Sequence, residues 1–300
     1  MVHWKIRSTQ ILGLISVLAF ALAGNAAAQD AKQATDYGDH LDPEEHHDLT
    51  TAATNPVGAL IQVQLQDLYT PNSRSSDGYA NTGIFQLVAP LPLPKGGYFE
   101  GLITRTTLPI VTTPEINGDR ETGLGDLTSI IAATHTVPGE GKEFFTWGPV
   151  LGAIVPTANK RETGSGVLSL GPGLIALKNI AFENGDSMMV GGLAYQTWSV
   201  TNGTNNVSKT WAQPVLVYKF KELFGQGGWY LRNPDDLWSY DWNTSDWAQI
   251  PVGGALGRVF PIGKQPVNVF AGGWYNPVSD NDGVAADYAF KVSLSLLFPK

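Results

Sequence analysis

Arg105 stands in LITRTTL and Asp126 in GLGDL, on two segments separated by a polar loop centred near residue 115 or 116. If the segments pair as an antiparallel hairpin, the two become cross-strand neighbours, a guanidinium beside a carboxylate. Such a pair braces a wall or meets a polar solute; the brace is the simpler role, and the two are compatible. A second constellation is Gln196 and Trp198 before the loop TNGTNNVS, with Lys209, Trp211 and Gln213 after it. Hairpin symmetry about Asn202 to Asn205 would place all five on one face. Amides beside indoles can hold weakly polar aromatic solutes by stacking and hydrogen bonding. The competing role for the tryptophans is to anchor a membrane interface. Lys291, in ADYAFKVSLSLLFPK, shares its parity with Ser293 and Ser295 and joins the candidates.

Two other chemistries are weaker. His40, His46 and His47 lie among Asp36, Asp39, Asp42, Glu44, Glu45 and Asp48, a donor set suited to a divalent metal. Without a rigid frame it is a solvated acidic tail. Ser129 and His135 are ingredients of a lipid hydrolase, but no nucleophile elbow or zinc-site spacing accompanies them. No catalytic residue, metal or cofactor is expected.

These residues need elements to carry them, and the repeating unit is a strand. In ALIQVQLQDLY, Ile61, Val63 and Leu65 take one parity and Gln62, Gln64 and Gln66 the other. A soluble sandwich would bury the aliphatic face, whereas a membrane barrel turns it to lipid and the glutamines to the lumen. The last segment decides for the barrel. Tyr288, Phe290, Val292, Leu294, Leu296 and Phe298 form an unbroken apolar face with rings at both ends, the profile of a lipid-facing strand. Twelve segments of β-type composition follow Pro56, near 59–69, 80–90, 97–110, 122–137, 143–157, 165–178, 187–200, 207–220, 228–242, 246–260, 265–277 and 285–298. Most are longer than the ~5–6 residues of soluble strands and match the ~9–11 of tilted spanning strands. Polar loops alternate with Pro/Gly turns, which predicts an antiparallel meander: an all-β, single transmembrane barrel of about twelve strands over 56–300. The segment GWYLRNPDDLWSYDW carries Asn-Pro-Asp-Asp and predicts a broken or bulged ninth strand.

The start of the chain gives the compartment. Lys5 and Arg7 precede an apolar run, Ile11 to Gly24, and then Ala26-Ala27-Ala28, so residues 1–28 are expected to be a cleaved signal peptide. Removing them leaves 17 Lys+Arg against 27 Asp+Glu, a balance that argues against nucleic acid. No cysteine is available for disulfides. Residues 29–55, polar, acidic and without apolar periodicity, are expected to be a flexible extension.

Several stretches also resemble the outer-membrane barrel family labelled MetA-pathway of phenol degradation. They run from NPVGALIQVQLQ through LITRTTLPI, ETGLGDL, WGPVLGAIVPTA, GSGVLSLGPG, VGGLAYQTWSV and WAQPVLVYKF to WAQIPVGGALGRVF, IGKQPVNVFAGGWYNP and LLFPK. The resemblance implies an outer-membrane channel or transporter for small molecules, aromatic or otherwise apolar ones included. The partners expected on that reading are membrane lipid, the solute and the outer-membrane assembly machinery. The alternatives are a barrel with a lipid-hydrolase or purely structural role, and a soluble exported β-sandwich that binds a ligand.

Overall fold

The structure, a computed structural model, describes residues 43–300 apart from 59, 73–77, 92, 95, 116–117, 202–205, 279–286 and 299–300. Helix α1 (Pro43–Thr54) precedes β1 (Ile61–Thr70), β2 (Ala80–Leu91) and β3 (Gly101–Thr112). Strand β4 has two pieces, Thr122–Leu124 and Leu127–Pro138, and is followed by β5 (Phe144–Val155), β6 (Ser169–Ala181), β7 (Ser187–Ser199) and β8 (Ser208–Lys219). Strands β9 (Trp229–Arg232 with Trp238–Asp241) and β10 (Asp246–Gln249 with Val252–Ile262) are also interrupted, and β11 (Gln265–Tyr275) and β12 (Tyr288–Phe298) complete the series. Each strand pairs antiparallel with its neighbours in sequence. β12 returns to β1, with Ile61 opposite Phe298 and Tyr69 opposite Phe290. The result is a closed twelve-stranded meander, beyond whose wall the pieces Thr122–Leu124 and Asp246–Gln249 each pair on one side only.

One end of the barrel carries the tighter connections. Gly263, whose φ of 59° is left-handed, makes the turn from β10 to β11, and residues 139–143 join β4 to β5. The other end carries longer excursions, such as residues 156–168 between β5 and β6.

The period of two sorts the side chains as the aliphatic-glutamine alternation requires. Leu87, Ile131, Leu151, Leu174, Leu216, Leu231 and Val292 are exposed on the outside. Rings flank them, with Trp198, Tyr275 and Tyr288 towards the loop end and Phe145, Phe182 and Phe298 towards the turn end. On β12, Val292 is 57% exposed whereas Ser293 beside it is 0% exposed. A surface of this kind suits hydrocarbon as its solvent. The soluble sandwich would bury the face that is exposed here.

Half of the interior is filled. From β4 to β8, Ile130, Ala132, Val150, Ile175, Leu177, Met189, Leu193 and Val217 point inward and are buried. α1 enters this half. Ala53 is buried in the same cluster, and Leu49 and Ala52 pack against it. This corrects the expectation of a flexible extension over residues 43–54. The segment PEEHHDLTTAAT has a proline and two acids at its start, which suit a helix N-terminus. Its small Thr and Ala residues find their burial in the barrel rather than in an amphipathic stripe of their own. After the helix the chain turns back toward β1: the Val57 N–H bonds Asn55 Oδ1 at 3.0 Å, and the Gly58 N–H bonds the Asn55 carbonyl at 3.0 Å. A side chain on Gly58 would meet the Ala52 carbonyl oxygen at 2.4 Å, so the tight return requires glycine.

Candidate functional site in the barrel lumen

Strands β1 to β3 supply a polar wall. Gln64 Nε2 donates to Gln62 Oε1 at 2.9 Å and Gln66 Nε2 to Gln64 Oε1 at 2.8 Å. Gln86 Nε2 donates to the same Gln64 oxygen at 2.9 Å, and Thr107 Oγ1 to Gln86 Oε1 at 2.9 Å. Period-two spacing on β1 and the registers Gln64↔Gln86 and Gln86↔Thr107 stack these groups into a rail along the lumen. Its lower end reaches α1, where Gln62 Nε2 donates to the Ala53 carbonyl at 3.3 Å.

The ninth strand contributes the second part. Pro234 cannot donate to a ladder, and around it residues 233–237 leave the wall. Asn233 covers the break: its Oδ1 accepts from Leu216 N at 2.8 Å, and its Nδ2 donates to the Pro214 carbonyl at 2.9 Å. The freed segment turns inward, so that Asp235 and Asp236 reach Lys291 on β12, with Lys291 Nζ at 3.0 Å from Asp235 Oδ1 and 2.7 Å from Asp236 Oδ1. Arg232 Nη2 lies 3.7 Å from Asp235 Oδ2. The predicted break is present, and it forms an internal latch that reaches from β9 to β12 inside the lumen. The partners of Lys291 escaped sequence reasoning, although a lysine of lumen parity and two acids in a strand break were both visible.

A cavity of about 550 Å³ lies between the rail, the latch and the end of α1. Ala53, Thr54, Asn55 and Pro56 line it from the turn end. Arg105, Gln213, Tyr195 and Trp211 line it from the strands. Arg105 Nη1 donates to Gln213 Oε1 at 2.8 Å, and the Tyr195 and Trp211 rings stack with centroids 6.4 Å apart and 21° between planes. α1 is tied to the wall by Lys219, whose Nζ donates to Thr51 Oγ1 at 3.0 Å and to Asn179 Oδ1 at 2.5 Å.

The candidates divide. Arg105, Trp211, Gln213 and Lys291 line the cavity, and Lys209 points inward nearer the loop end, 3.1 Å from Asp241. Asp126 does not meet Arg105. The hairpin pairs Thr107 with Thr128, so Ile130 stands opposite Arg105, and Asp126 lies at the break in β4 near the loop end. There it accepts bonds from Ser165 N at 2.6 Å, Ser165 Oγ at 2.7 Å and Ala158 N at 3.2 Å, holding the β5–β6 loop. Gln196 and Trp198 do not share a face with the other three. Tyr195 pairs with Trp211 and Trp198 with Ser208, one residue from the symmetric guess, and a one-residue slip turns a strand over. Gln196 thus takes its bonds outside, from Thr210 Oγ1 and from Trp242 Nε1 at 3.1 Å, while Trp198 joins the outer ring of aromatics.

Ser129 and His135 do not form a site. Six residues along one strand separate them by ~20 Å. Ser129 Oγ shares a hydrogen bond with Thr106 Oγ1 at 3.2 Å, and His135 Nδ1 lies 2.8 Å from Glu100 Oε1. His40 and the acids at 36, 39 and 42 lie outside the described residues.

Among solved structures, the crystal structure of an outer membrane channel from Pseudomonas putida F1 is similar to this chain, with a TM-score of 0.54 and 15% identity. The match covers 86% of this chain and 100% of that one. The likeness is one of fold. No family model matches the chain and no curated protein does either, so the family label that the quoted stretches resemble gains no second support.

Proposed function

We propose that this protein is an outer-membrane channel for small molecules, with its loop end outward and both termini in the periplasm. Residues 1–28 would direct export, and the outer-membrane assembly machinery would insert the barrel. One observation carries the reading: a cavity of about 550 Å³, lined by amides and charged groups on one side and by apolar and aromatic side chains on the other, lies inside a closed barrel whose exterior is apolar. A barrel built only as a scaffold gains little from an amide rail facing the cavity, which orders several polar side chains at an entropic cost. The stacked Tyr195 and Trp211 give the path an aromatic surface, which supports passage of small solutes with an aromatic part. α1 and the latch narrow the route, so the channel is gated: passage at the turn end requires α1 to shift.

Planar-bilayer recording of the purified full chain tests this reading, with a variant lacking residues 43–57 beside it. The expected result is a small ion conductance that rises in the variant. Electrical silence of both proteins, each shown to be folded by its unboiled gel mobility, would contradict it.

A further inference from the structure

The latch leaves the lumen with an unbalanced charge. Arg105, Arg232 and Lys291 all line the cavity, facing two acids, Asp235 and Asp236. Those acids are taken: Lys291 sits between them, and Arg232 lies beside Asp235. Arg232 is further held by donating Nε to the Asn233 carbonyl at 3.3 Å, with its guanidinium 4.9 Å from the Phe270 ring centre. Arg105 differs. Among the described residues its guanidinium makes no ion pair, and its one hydrogen bond goes to a neutral amide, Gln213 Oε1. A guanidinium carries five N–H donors in a planar fork that matches a carboxylate, and inside a barrel its charge is poorly screened.

The surroundings define the rest of a ligand. Tyr195, Trp211 and Val215 line the same cavity and offer an apolar, partly aromatic surface on one side of Arg105. Gln66, Gln86 and Thr107 offer amide and hydroxyl groups on the other. The volume of about 550 Å³ falls within the range of small-molecule sites.

We propose that the cavity binds a small organic anion, a carboxylate gripped by the N–H groups of Arg105 that Gln213 leaves unused, with an apolar body lying against Tyr195 and Trp211. The proposal deepens the channel reading and rests on it: the anion would be the solute, and Arg105 the residue that selects its charge. A neutral molecule of the same shape would gain the stacking but not the grip. Acetate would gain the grip but not the stacking.

Benzoate, benzyl alcohol and acetate are the probes. Calorimetric titration of the full chain in detergent should show benzoate binding about tenfold or more tightly than either of the others, the scale of a charge-assisted hydrogen-bond pair. Arg105→Gln should abolish the preference of benzoate over benzyl alcohol. Trp211→Leu should weaken benzoate while leaving acetate unchanged, and it serves as the second variant if Arg105→Gln fails to fold. Equal binding of benzoate and benzyl alcohol, or a benzoate preference that survives Arg105→Gln, would overturn the proposal. Bilayer currents separate it from the channel reading. Conductance without benzoate binding removes the anion site and keeps the channel, whereas binding without conductance keeps the site and removes the channel.

Discussion

The two halves of the lumen are built on the same strand geometry and do opposite things. From β4 to β8 the inward positions hold Ile130, Val150, Ile175, Leu177 and Leu193, which pack with α1 as the core of a soluble domain would. From β12 through β1 to β3, Lys291, Ser293, Ser295, Gln62, Gln64, Gln66, Gln86 and Thr107 take inward positions among a few apolar ones such as Val88, Ile103 and Leu297, and beside them the cavity opens. A barrel in a membrane is not obliged to hide apolar residues inside, since its exterior already satisfies them. The filled half seats α1, and on the proposed reading the half with the amide rail lines the solute path.

Substitutions can break this contrast, and the largest effect is expected where the polar half is itself structural. Lys291→Met would leave Asp235 and Asp236 without their cation and should cost about 3–5 kcal/mol, read as a lower urea midpoint of the refolded barrel. It should also release the latch and raise conductance; an unchanged midpoint would mean that the three charges do not meet. Next comes the filled half. Leu177→Ala, at a side chain 0% exposed, should cost about 2–5 kcal/mol while conductance stays as it was. A clear change in conductance would place the path through the half assigned to packing.

A third comparison sets inside against outside. Trp211→Ala should alter the flux of aromatic solutes in liposomes, whereas Trp198→Ala, on the outer ring, should leave flux unchanged. Equal effects would put both rings on the path or both off it. The smallest effect is expected at the rail. Gln86→Ala removes two neutral hydrogen bonds from groups that water in the cavity can reach, so its cost should be about 1 kcal/mol or less. A loss on the scale of Leu177→Ala would mean that the rail is a sealed network.

The strands and their faces were legible because both follow from a period of two that each segment states for itself. The glutamines of β1 and the serines of β12 show their side without reference to any partner. Register is another matter, since it depends on where a loop turns. Placing the β7–β8 turn one residue off is enough to bring Gln196 and Trp198 wrongly inside. In the β3–β4 hairpin, a centre nearer Asn117 than Glu115 removes Asp126 from Arg105 altogether. Asn-Pro-Asp-Asp announces its own interruption, but nothing in it names Lys291, some 55 residues away in sequence. α1 is the least legible element, because its small and polar residues gain their burial from the barrel around them.

The central claim is that solute moves past the glutamine face of β1 and not past its aliphatic face, and the chain has no cysteine to confuse a labelling experiment. Gln64→Cys and Leu65→Cys, recorded singly in planar bilayers before and after a charged, membrane-impermeant thiol reagent, put that claim to the most direct test. Modification at Gln64→Cys should cut the current within the recording, and Leu65→Cys should be indifferent. A current that falls at Leu65→Cys and holds at Gln64→Cys would contradict it.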